Sequence, residues 1–327
     1  MSAGHLVVRL VAISRFWGLA EYGRLAYDWL MTADRPVLGI LLMLGFCILA
    51  PVGDSIAKLL GGTIPLLQLL IVRFSLQAVL LLPIILLGAQ SFKMSTRVVW
   101  LTVARTVLHI VGVGAMFLSL RFLPLADAVA IAFVMPFIML LLGRFVLQEE
   151  VGSRRLAACA VGFFGTLLVV QPSFSEVGAP ALLPLLVAVD FALFMLVTRQ
   201  IAKQVDPVSL QAISGGMATI ILLLIYGLTG ITGVLETQLV VPDWSTGALL
   251  VAIGVVGTMA HLLMTWSLRF APSATLAPMQ YLEIPVATII GYLVFADLPN
   301  GLAAMGIVVT ICAGLYVVFR EHAIARR

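Results

Sequence analysis

Long, almost uninterrupted apolar windows constrain the fold of this chain more than any other feature of its sequence. Ten windows occur, each close to the length of about 20 residues that an α-helix needs to cross the hydrocarbon core of a bilayer. Only helices and closed barrels satisfy every backbone polar group in lipid, and runs without period-two alternation predict helices. The windows are residues 37–57, 65–88, 98–119, 125–146, 154–170, 180–198, 208–230, 246–268, 273–294 and 302–319.

Composition excludes several classes of water-soluble protein. Of the 327 residues, 62% are hydrophobic and 10% are charged, whereas soluble domains have roughly 45–50% apolar and about 25% charged residues. A soluble enzyme, a disordered protein and a nucleic-acid-binding protein are therefore poor fits, and we predict an all-α integral protein of the lipid bilayer. Cys47, Cys159 and Cys312 lie in apolar windows, where we expect them to pack as small apolar residues; neither a metal nor a cofactor is predicted.

Basic residues predict the orientation of the helices, since short cytoplasmic loops carry an excess of lysine and arginine. With ten spans, 15 of the 19 basic residues fall on the side of the N-terminus, and only Lys58 and Arg121 fall on the opposite side. The remaining two, Arg73 and Arg105, lie within spans. This split predicts a multi-pass protein of the inner (plasma) membrane with both termini in the cytoplasm.

Residues 1–36 differ from the rest of the chain, because five charged residues interrupt their apolar segment. Two interpretations stay open. The segment is either a cytoplasmic amphipathic helix that lies in the membrane interface, or the product of an over-called start codon, with Met31 as the true first residue. A cleaved signal peptide fits poorly, because no clean apolar core follows a basic start.

An internal repeat divides the remaining chain into two halves. The sequence Leu120-Arg121-Phe122-Leu123-Pro124 is echoed 148 residues later by Leu268-Arg269-Phe270-Ala271-Pro272. The repeat predicts two five-helix units, residues 37–172 and 180–320. Because five is odd, the second unit enters the membrane from the opposite face. We therefore predict ten transmembrane helices arranged as two inverted five-helix repeats, a common construction of secondary transporters.

The sequence resembles the drug/metabolite transporter (DMT) superfamily, EamA type, over nearly all of the chain after residue 37. The resemblance implies a ten-helix carrier with a central cavity and alternating access, which moves amino acids, vitamins such as riboflavin, adenosine-containing metabolites or drugs, as exporter or importer. The second half departs from the family pattern at Asp297-Leu298-Pro299, where a glutamate is usual. The matching features are Leu123-Pro124-Leu125-Ala126-Asp127-Ala128, Pro136, Gly143, Glu149-Glu150, Arg73 and the stretch from Gly162 to Pro172.

Ionisable and polar residues inside the spans are the candidates for substrate binding, because such groups are costly in a membrane. Several alternatives stay open. Arg73 binds a substrate carboxylate or phosphate, pairs with Asp54, or extends to the interface. Arg105 either binds substrate or extends to the inner interface. The candidate substrate-binding residues are Arg73, Arg105, His109, Asp190, His261, Gln280, Tyr281 and Glu283.

Glu283 and two prolines have the most specific predicted roles. Glu283 lies centrally in the ninth span, where it either carries a proton that couples transport to the proton gradient, binds a substrate ammonium, or pairs with an arginine. Pro136 and Pro285 occupy matched places in the two halves. Matched interruptions of spans point to a binding site, so we predict that these prolines are hinges.

The favoured function is secondary active transport of a small polar metabolite. Opposed arginine and glutamate side chains suit a zwitterion, so an exporter of an amino acid is the first expectation. The alternative is an importer of a vitamin or cofactor, such as riboflavin or an adenosine-containing metabolite. An intramembrane enzyme is a third possibility, but the chain contains neither a Gly-x-Ser-x-Gly motif nor a His-Glu-x-x-His motif, which such chemistry commonly uses.

Overall fold

The computed structural model describes residues 35–87, 94–148, 152–232, 239–297 and 301–325. Over these ranges the chain is helical, and none of their residues forms a strand, which confirms the all-α class. Residues 1–34 lie outside the described part, and so do Glu149, Glu150 and Pro299. The two interpretations of the N-terminal segment therefore stay predictions.

The described residues form twelve α-helices and two short 3-10 segments. The α-helices are α1 (Pro36–Leu60), α2 (Leu66–Leu87), α3 (Thr96–Ser119), α4 (Leu125–Ala132), α5 (Met135–Phe145), α6 (Ser153–Val177), α7 (Leu183–Ile201), α8 (Pro207–Thr232), α9 (Trp244–Phe270), α10 (Ser273–Leu276), α11 (Glu283–Phe295) and α12 (Gly301–Ala325). The 3-10 segments are Ala179–Leu182, before α7, and Ala277–Leu282, between α10 and α11.

Seven stretches of the described residues are long and apolar enough to cross a membrane. They are formed by α1, α2, α3, α4 with α5, α7 with the 3-10 segment before it, α8, and α9. Shorter apolar stretches occur in α6, in α12 and around the start of α11. The structure thus supports a multi-pass membrane protein, and the count of ten spans stays a prediction.

Antiparallel helix pairs build the core. Helix α1 lies against α9, α3 against α7, α2 against α8, and α6 against α12. Glycines allow the close approach: a Cβ atom at Gly39 would lie 2.5 Å from the Cβ of Ala271, and one at Gly165 would lie 2.5 Å from the Oγ1 of Thr310. Small residues at such contacts are typical of membrane helices, whose association depends on packing because lipid is as apolar as their side chains.

Two helices of the bundle are broken near their middle. The fourth predicted span is divided between α4 and α5 at Phe133 and Val134, and the ninth contains the 3-10 segment between α10 and α11. Pro136 is the second residue of α5 and Pro285 is the third residue of α11. In the first turn of a helix a proline removes no intrahelical hydrogen bond. Each proline therefore begins the second part of a broken span, at matched places in the two halves.

Two arginines of the repeated motif make equivalent contacts at opposite ends of the bundle. Arg121 donates from Nη2 to the carbonyl of Ile64 (3.1 Å), between α1 and α2, and Arg269 donates from Nη1 to the carbonyl of Val205 (3.3 Å), between α7 and α8. The first contact lies at the C-terminal end of α1. The second lies near its N-terminal end, where the backbone N–H preceding α1 donates to the carbonyl of Phe270 (2.6 Å).

Candidate functional site

A cavity of about 100 Å³ lies between the helices. Its walls come from the C-terminal parts of α1 and α3 and the N-terminal parts of α2, α7 and α9, with further residues from the two broken spans. Because α1 and α3 run antiparallel to α7 and α9, most of these residues lie in the half of the bundle nearer the end of α1, while Phe46 and His261 lie near its middle. Its lining residues include Phe46, Asp54, Arg73, Gly112, Phe117, Phe133, Phe191, Gly257, His261 and Glu283.

Arg73, on α2, lines this cavity with part of its hydrogen-bonding capacity unused. The side chain is 2% exposed, its Nη2 lies 3.3 Å from the Nε2 of His109, and its guanidinium lies over the ring of Phe74. Its Nη1 has no hydrogen-bond partner among the described residues. A Cβ at Gly257 would lie 3.1 Å from the arginine Nε, so the glycine makes room for the guanidinium. Arg73 can therefore bind an acceptor atom of a ligand.

Arg105, on α3, is fully buried, and each of its three guanidinium nitrogens donates one hydrogen bond. Its Nε donates to the Oγ1 of Thr198 (2.9 Å), its Nη1 to the Oγ of Ser214 (2.9 Å), and its Nη2 to the Oγ1 of Thr265 (3.4 Å). The guanidinium also lies over the ring of Phe194, with 4.6 Å between Cζ and the ring centroid. The structure therefore places Arg105 inside the protein, away from the lining of the cavity.

The energies of these contacts explain how a guanidinium stays buried without a counter-ion. Among the described residues, neither Arg73 nor Arg105 has a carboxylate oxygen within 4.0 Å. An arginine in the middle of a membrane helix costs about 2.5–3.5 kcal/mol on insertion scales. Each hydrogen bond to a charged group contributes about 1.5–3 kcal/mol, so three of them offset the cost for Arg105. Arg73 lacks this compensation.

Two histidines connect the cavity to the buried region. The rings of His109 and His261 lie 4.2 Å apart between centroids, and His261 lines the cavity while His109 contacts Arg73. The Nδ1 atom of each ring is buried without a partner among the described residues. The sequence predicted both as candidate site residues, although they lie more than 150 residues apart, and the fold brings them together.

The cavity carries carboxylates as well as a guanidinium. Asp54 and Glu283 both line it. Asp190 is 5% exposed, and its Oδ2 has no partner among the described residues. A Cβ at Gly112, a lining residue, would collide with the Asp190 carboxylate. Asp190 thus lies directly behind Gly112 in the cavity wall, where only a glycine leaves room for its carboxylate.

Aromatic rings form much of the remaining wall, and the sequence analysis did not select them. Phe46 and Phe191 stack with 5.9 Å between centroids, and the edge of His261 meets both rings. Phe117 and Phe133 contribute further surface. Phenylalanines are abundant in this chain, and no local sequence signal distinguishes those that line a cavity from those that face lipid.

Two further predicted site residues, besides Arg105, lie away from the cavity. The hydroxyl of Tyr281 donates to the carbonyl of Cys159 (3.1 Å), and its ring packs against Gly162 of α6. The Nε2 of Gln280 lies 3.0 Å from the Sδ of Met195. Neither residue is among the lining residues. These contacts hold the 3-10 segment against α6 and α7, so the polarity of both residues serves packing in this conformation.

Known proteins resemble this chain along most of its length. A sequence profile of the EamA-like transporter family matches residues 37–171 and again residues 179–320. A riboflavin transporter of Rhizobium johnstonii is 30% identical over 230 residues, which cover 70% of this chain and 73% of that protein. An S-adenosylmethionine uptake transporter of Rickettsia prowazekii is 24% identical and covers 86% of this chain and 93% of its own length.

A solved crystal structure has the same fold. It superposes with a TM-score of 0.67 at 17% sequence identity and covers 86% of this chain and 96% of its own chain. At this level of identity the superposition supports the arrangement of the helices and no assignment of substrate. The two matches to the family profile cover nearly all of the chain beyond residue 36. The chain is therefore a member of the EamA-like transporter family, within the DMT superfamily, and it is a membrane transporter.

Proposed function

We propose that this protein imports a flat heteroaromatic metabolite by alternating access, with riboflavin as the first candidate. One observation carries the proposal: Arg73, whose Nη1 is buried without a partner among the described residues, lines a cavity whose walls include the stacked rings of Phe46 and Phe191. Apolar walls with a few convergent polar groups are typical of small-molecule sites. An arginine suits the carbonyl and ring-nitrogen acceptors of such a metabolite.

The relatives favour this function over export of an amino acid. The riboflavin transporters of Rhizobium johnstonii and Vibrio cholerae and the S-adenosylmethionine uptake transporter of Rickettsia prowazekii all carry large or ring-containing substrates by name. Import also accords with the word "uptake" in the name of the Rickettsia protein.

The inverted arrangement of two five-helix repeats is part of the proposal. The equivalent contacts of Arg121 and Arg269, at opposite ends of α1, support it. The two broken spans support it as well. In the proposed repeat α1 is equivalent to α7 and α3 is equivalent to α9, and the contact between α1 and α9 is accordingly matched by a contact between α7 and α3. Two similar halves of opposite orientation provide two near-equivalent packings, one open to each side of the membrane.

Location in the inner membrane, with both termini in the cytoplasm, completes the proposal. The 15-to-2 distribution of basic residues supports this orientation. It places the end of α1, and with it the cavity, on the outer side of the membrane.

S-adenosylmethionine or a similar cationic metabolite is a second candidate. The observation that favours it is the presence of two carboxylates, Asp54 and Glu283, in the lining of the same cavity as the aromatic rings. A sulfonium or an ammonium is attracted both by carboxylates and by the faces of aromatic rings. Riboflavin carries no such cation, so the two candidates make different demands on the carboxylates.

Counterflow in proteoliposomes tests the proposal. Vesicles preloaded with unlabelled riboflavin, S-adenosylmethionine or leucine are diluted into the corresponding labelled compound. We expect accumulation of riboflavin above empty liposomes, and its loss in Arg73→Gln. Accumulation of S-adenosylmethionine alone, with loss in Asp54→Asn, would establish the second candidate. Leucine counterflow without the other two would contradict both.

A further inference from the structure

We propose that Arg105 is the central residue of a hydrogen-bonded cluster, the seal, that closes the cytoplasmic end of the substrate path. The seal opens when substrate is released. The inference deepens the proposed alternating access and rests on it. It also changes the role of Arg105, which the sequence suggested as a substrate-binding residue. The seal is the cluster formed by Arg105, Thr198, Ser214 and Thr265.

All hydrogen-bond partners of Arg105 belong to the other half of the chain. Arg105 lies on α3, in the first family match, whereas Thr198, Ser214 and Thr265 lie on α7, α8 and α9, in the second. One guanidinium thus joins three helices of one repeat to a helix of the other. The planar guanidinium fork can make these three bonds at once, which a single ammonium cannot do with the same geometry.

The seal lies where the cavity ends. Ala260 of α9 lines the cavity, and Met264 and Leu268 follow on the same face of the helix at successive turns. Both are fully buried, so the passage beyond Ala260 is closed in this conformation. Further contacts between the halves close the same end: the Oγ of Ser267 donates to the carbonyl of Gly39 (2.7 Å).

A continuous set of contacts connects the ligand site to the seal. The Nη2 of Arg73 meets the ring of His109, which packs against the ring of Phe194 at 4.8 Å between centroids. The same Phe194 ring lies under the guanidinium of Arg105. A ligand that draws Arg73 toward the cavity would therefore displace His109. Through Phe194, this displacement would also disturb the position of the Arg105 guanidinium.

The chemistry of the seal suits a contact that must open repeatedly. Its acceptors are neutral hydroxyl groups, and no carboxylate of the described residues lies within 4.0 Å of Arg105. When the halves separate, water can replace the hydroxyls and hydrate the exposed guanidinium. A buried ion pair would resist opening more strongly, because separation would leave two uncompensated charges.

Cysteine accessibility tests the seal independently of the identity of the substrate. In a chain whose three native cysteines are replaced by serine, Met264→Cys reports whether the passage is open from the cytoplasm. Inside-out vesicles are treated with a membrane-impermeant maleimide. We expect labelling to be about tenfold faster in Arg105→Gln, the effect expected from even one lost charge-assisted hydrogen bond. Arg105→Lys should give an intermediate rate.

The matched control is Arg97→Gln, which removes the same charge from an exposed position of the same helix, two turns before Arg105; its labelling rate should stay unchanged. Thr265→Val, which keeps the guanidinium, covers the case in which Arg105→Gln does not give a monodisperse protein, and should also speed labelling. Unchanged labelling in whichever of these two variants folds would overturn the seal.

A higher KM for uptake in Arg105→Gln, without faster labelling, would restore Arg105 as a substrate contact. Failure of all counterflow would refute the proposed function but leave the labelling result interpretable.

Discussion

At the scale of single residues, hydrogen bonds distinguish two intramembrane arginines that the sequence alone did not distinguish. Both lie in apolar windows, and the sequence predicted the same role for each. Only the folded structure separates Arg105, whose Nε, Nη1 and Nη2 all donate to hydroxyls, from Arg73, whose Nη1 is free in the described structure. A nitrogen without a partner in a residue that lines a cavity favours ligand binding, whereas an arginine whose three nitrogens all have partners inside the protein favours a structural role.

Replacing Arg73 is expected to weaken substrate binding rather than folding. In Arg73→Gln the KM for uptake should rise by about tenfold or more, the effect of losing roughly 1.4 kcal/mol of binding free energy. Arg73→Lys should recover only part of this, since an ammonium lacks the planar fork. Initial uptake rates over a range of substrate concentrations measure both. Arg97→Gln again serves as control, and an unchanged KM in Arg73→Gln would exclude a substrate contact.

Glu283 remains the candidate for proton coupling, and its neighbours define the test. It lies in the first turn of α11 and shares the cavity with Asp54, Arg73 and His261. We expect Glu283→Gln to remove the stimulation of uptake by an inward proton gradient while substrate counterflow, which needs no gradient, persists. Asp54→Asn is the matched variant. If gradient-driven uptake persists in Glu283→Gln and is lost in Asp54→Asn, the coupling carboxylate is Asp54.

At the scale of secondary structure, hydropathy predicted where helices lie better than where they break. Most apolar windows coincide with the helices to within a few residues, because the membrane imposes both length and composition, whereas α6 and α12 extend seven and six residues beyond their windows. The break between α4 and α5, at Phe133 and Val134, causes no change in hydropathy along the sequence. Pro136 is the one residue near it that indicates an interruption. Helical continuity there depends on the tertiary surroundings, which a single sequence does not display.

The start of α9 offers a prediction at this scale, because its N-cap is ionised. Hydrogen bonds from Thr246 and Ser245 lower the pKa of the exposed Asp243 carboxyl to about 2, from an ordinary value of about 3.9. Because the folded-state pKa is depressed, the stabilisation is complete above about pH 4 and is lost as the pH falls from about 4 toward 2.

Asp243→Ala should therefore lower the Tm of the detergent-solubilised protein at pH 7, and the difference from the unmodified chain should shrink below pH 4. Asp243→Asn, which keeps a side-chain acceptor at the N-cap, should lower the Tm less at pH 7, and this smaller difference should also shrink below pH 4, because only the unmodified chain loses a charge there. A Tm difference for Asp243→Ala that stays constant from pH 7 to pH 3 would show that the charge is unimportant for the cap.

At the scale of the whole molecule, the repeated motif predicted more than the individual residues did. Arg121 and Arg269 were recognised as equivalent from sequence alone, and their contacts with Ile64 and Val205 proved equivalent as well. The cavity, by contrast, was not predictable, because its walls combine residues of seven spans separated by up to 237 positions, from Phe46 to Glu283. A repeat is a similarity between two segments of the sequence and can be found by comparing them. A cavity depends on how distant helices pack, which the sequence does not display.

The inverted arrangement makes a direct prediction about the two loops that these arginines hold. Thr63 and Gln204 are exposed and lie one residue before Ile64 and Val205. In the cysteine-free chain, Thr63→Cys should react with a membrane-impermeant maleimide applied to intact cells, whereas Gln204→Cys should react only in inside-out vesicles. The reason is that five helices separate equivalent loops, so they emerge on opposite faces of the membrane. Reaction of both cysteines from the same face would show that the two halves are parallel, and alternating access between inverted repeats would have to be abandoned.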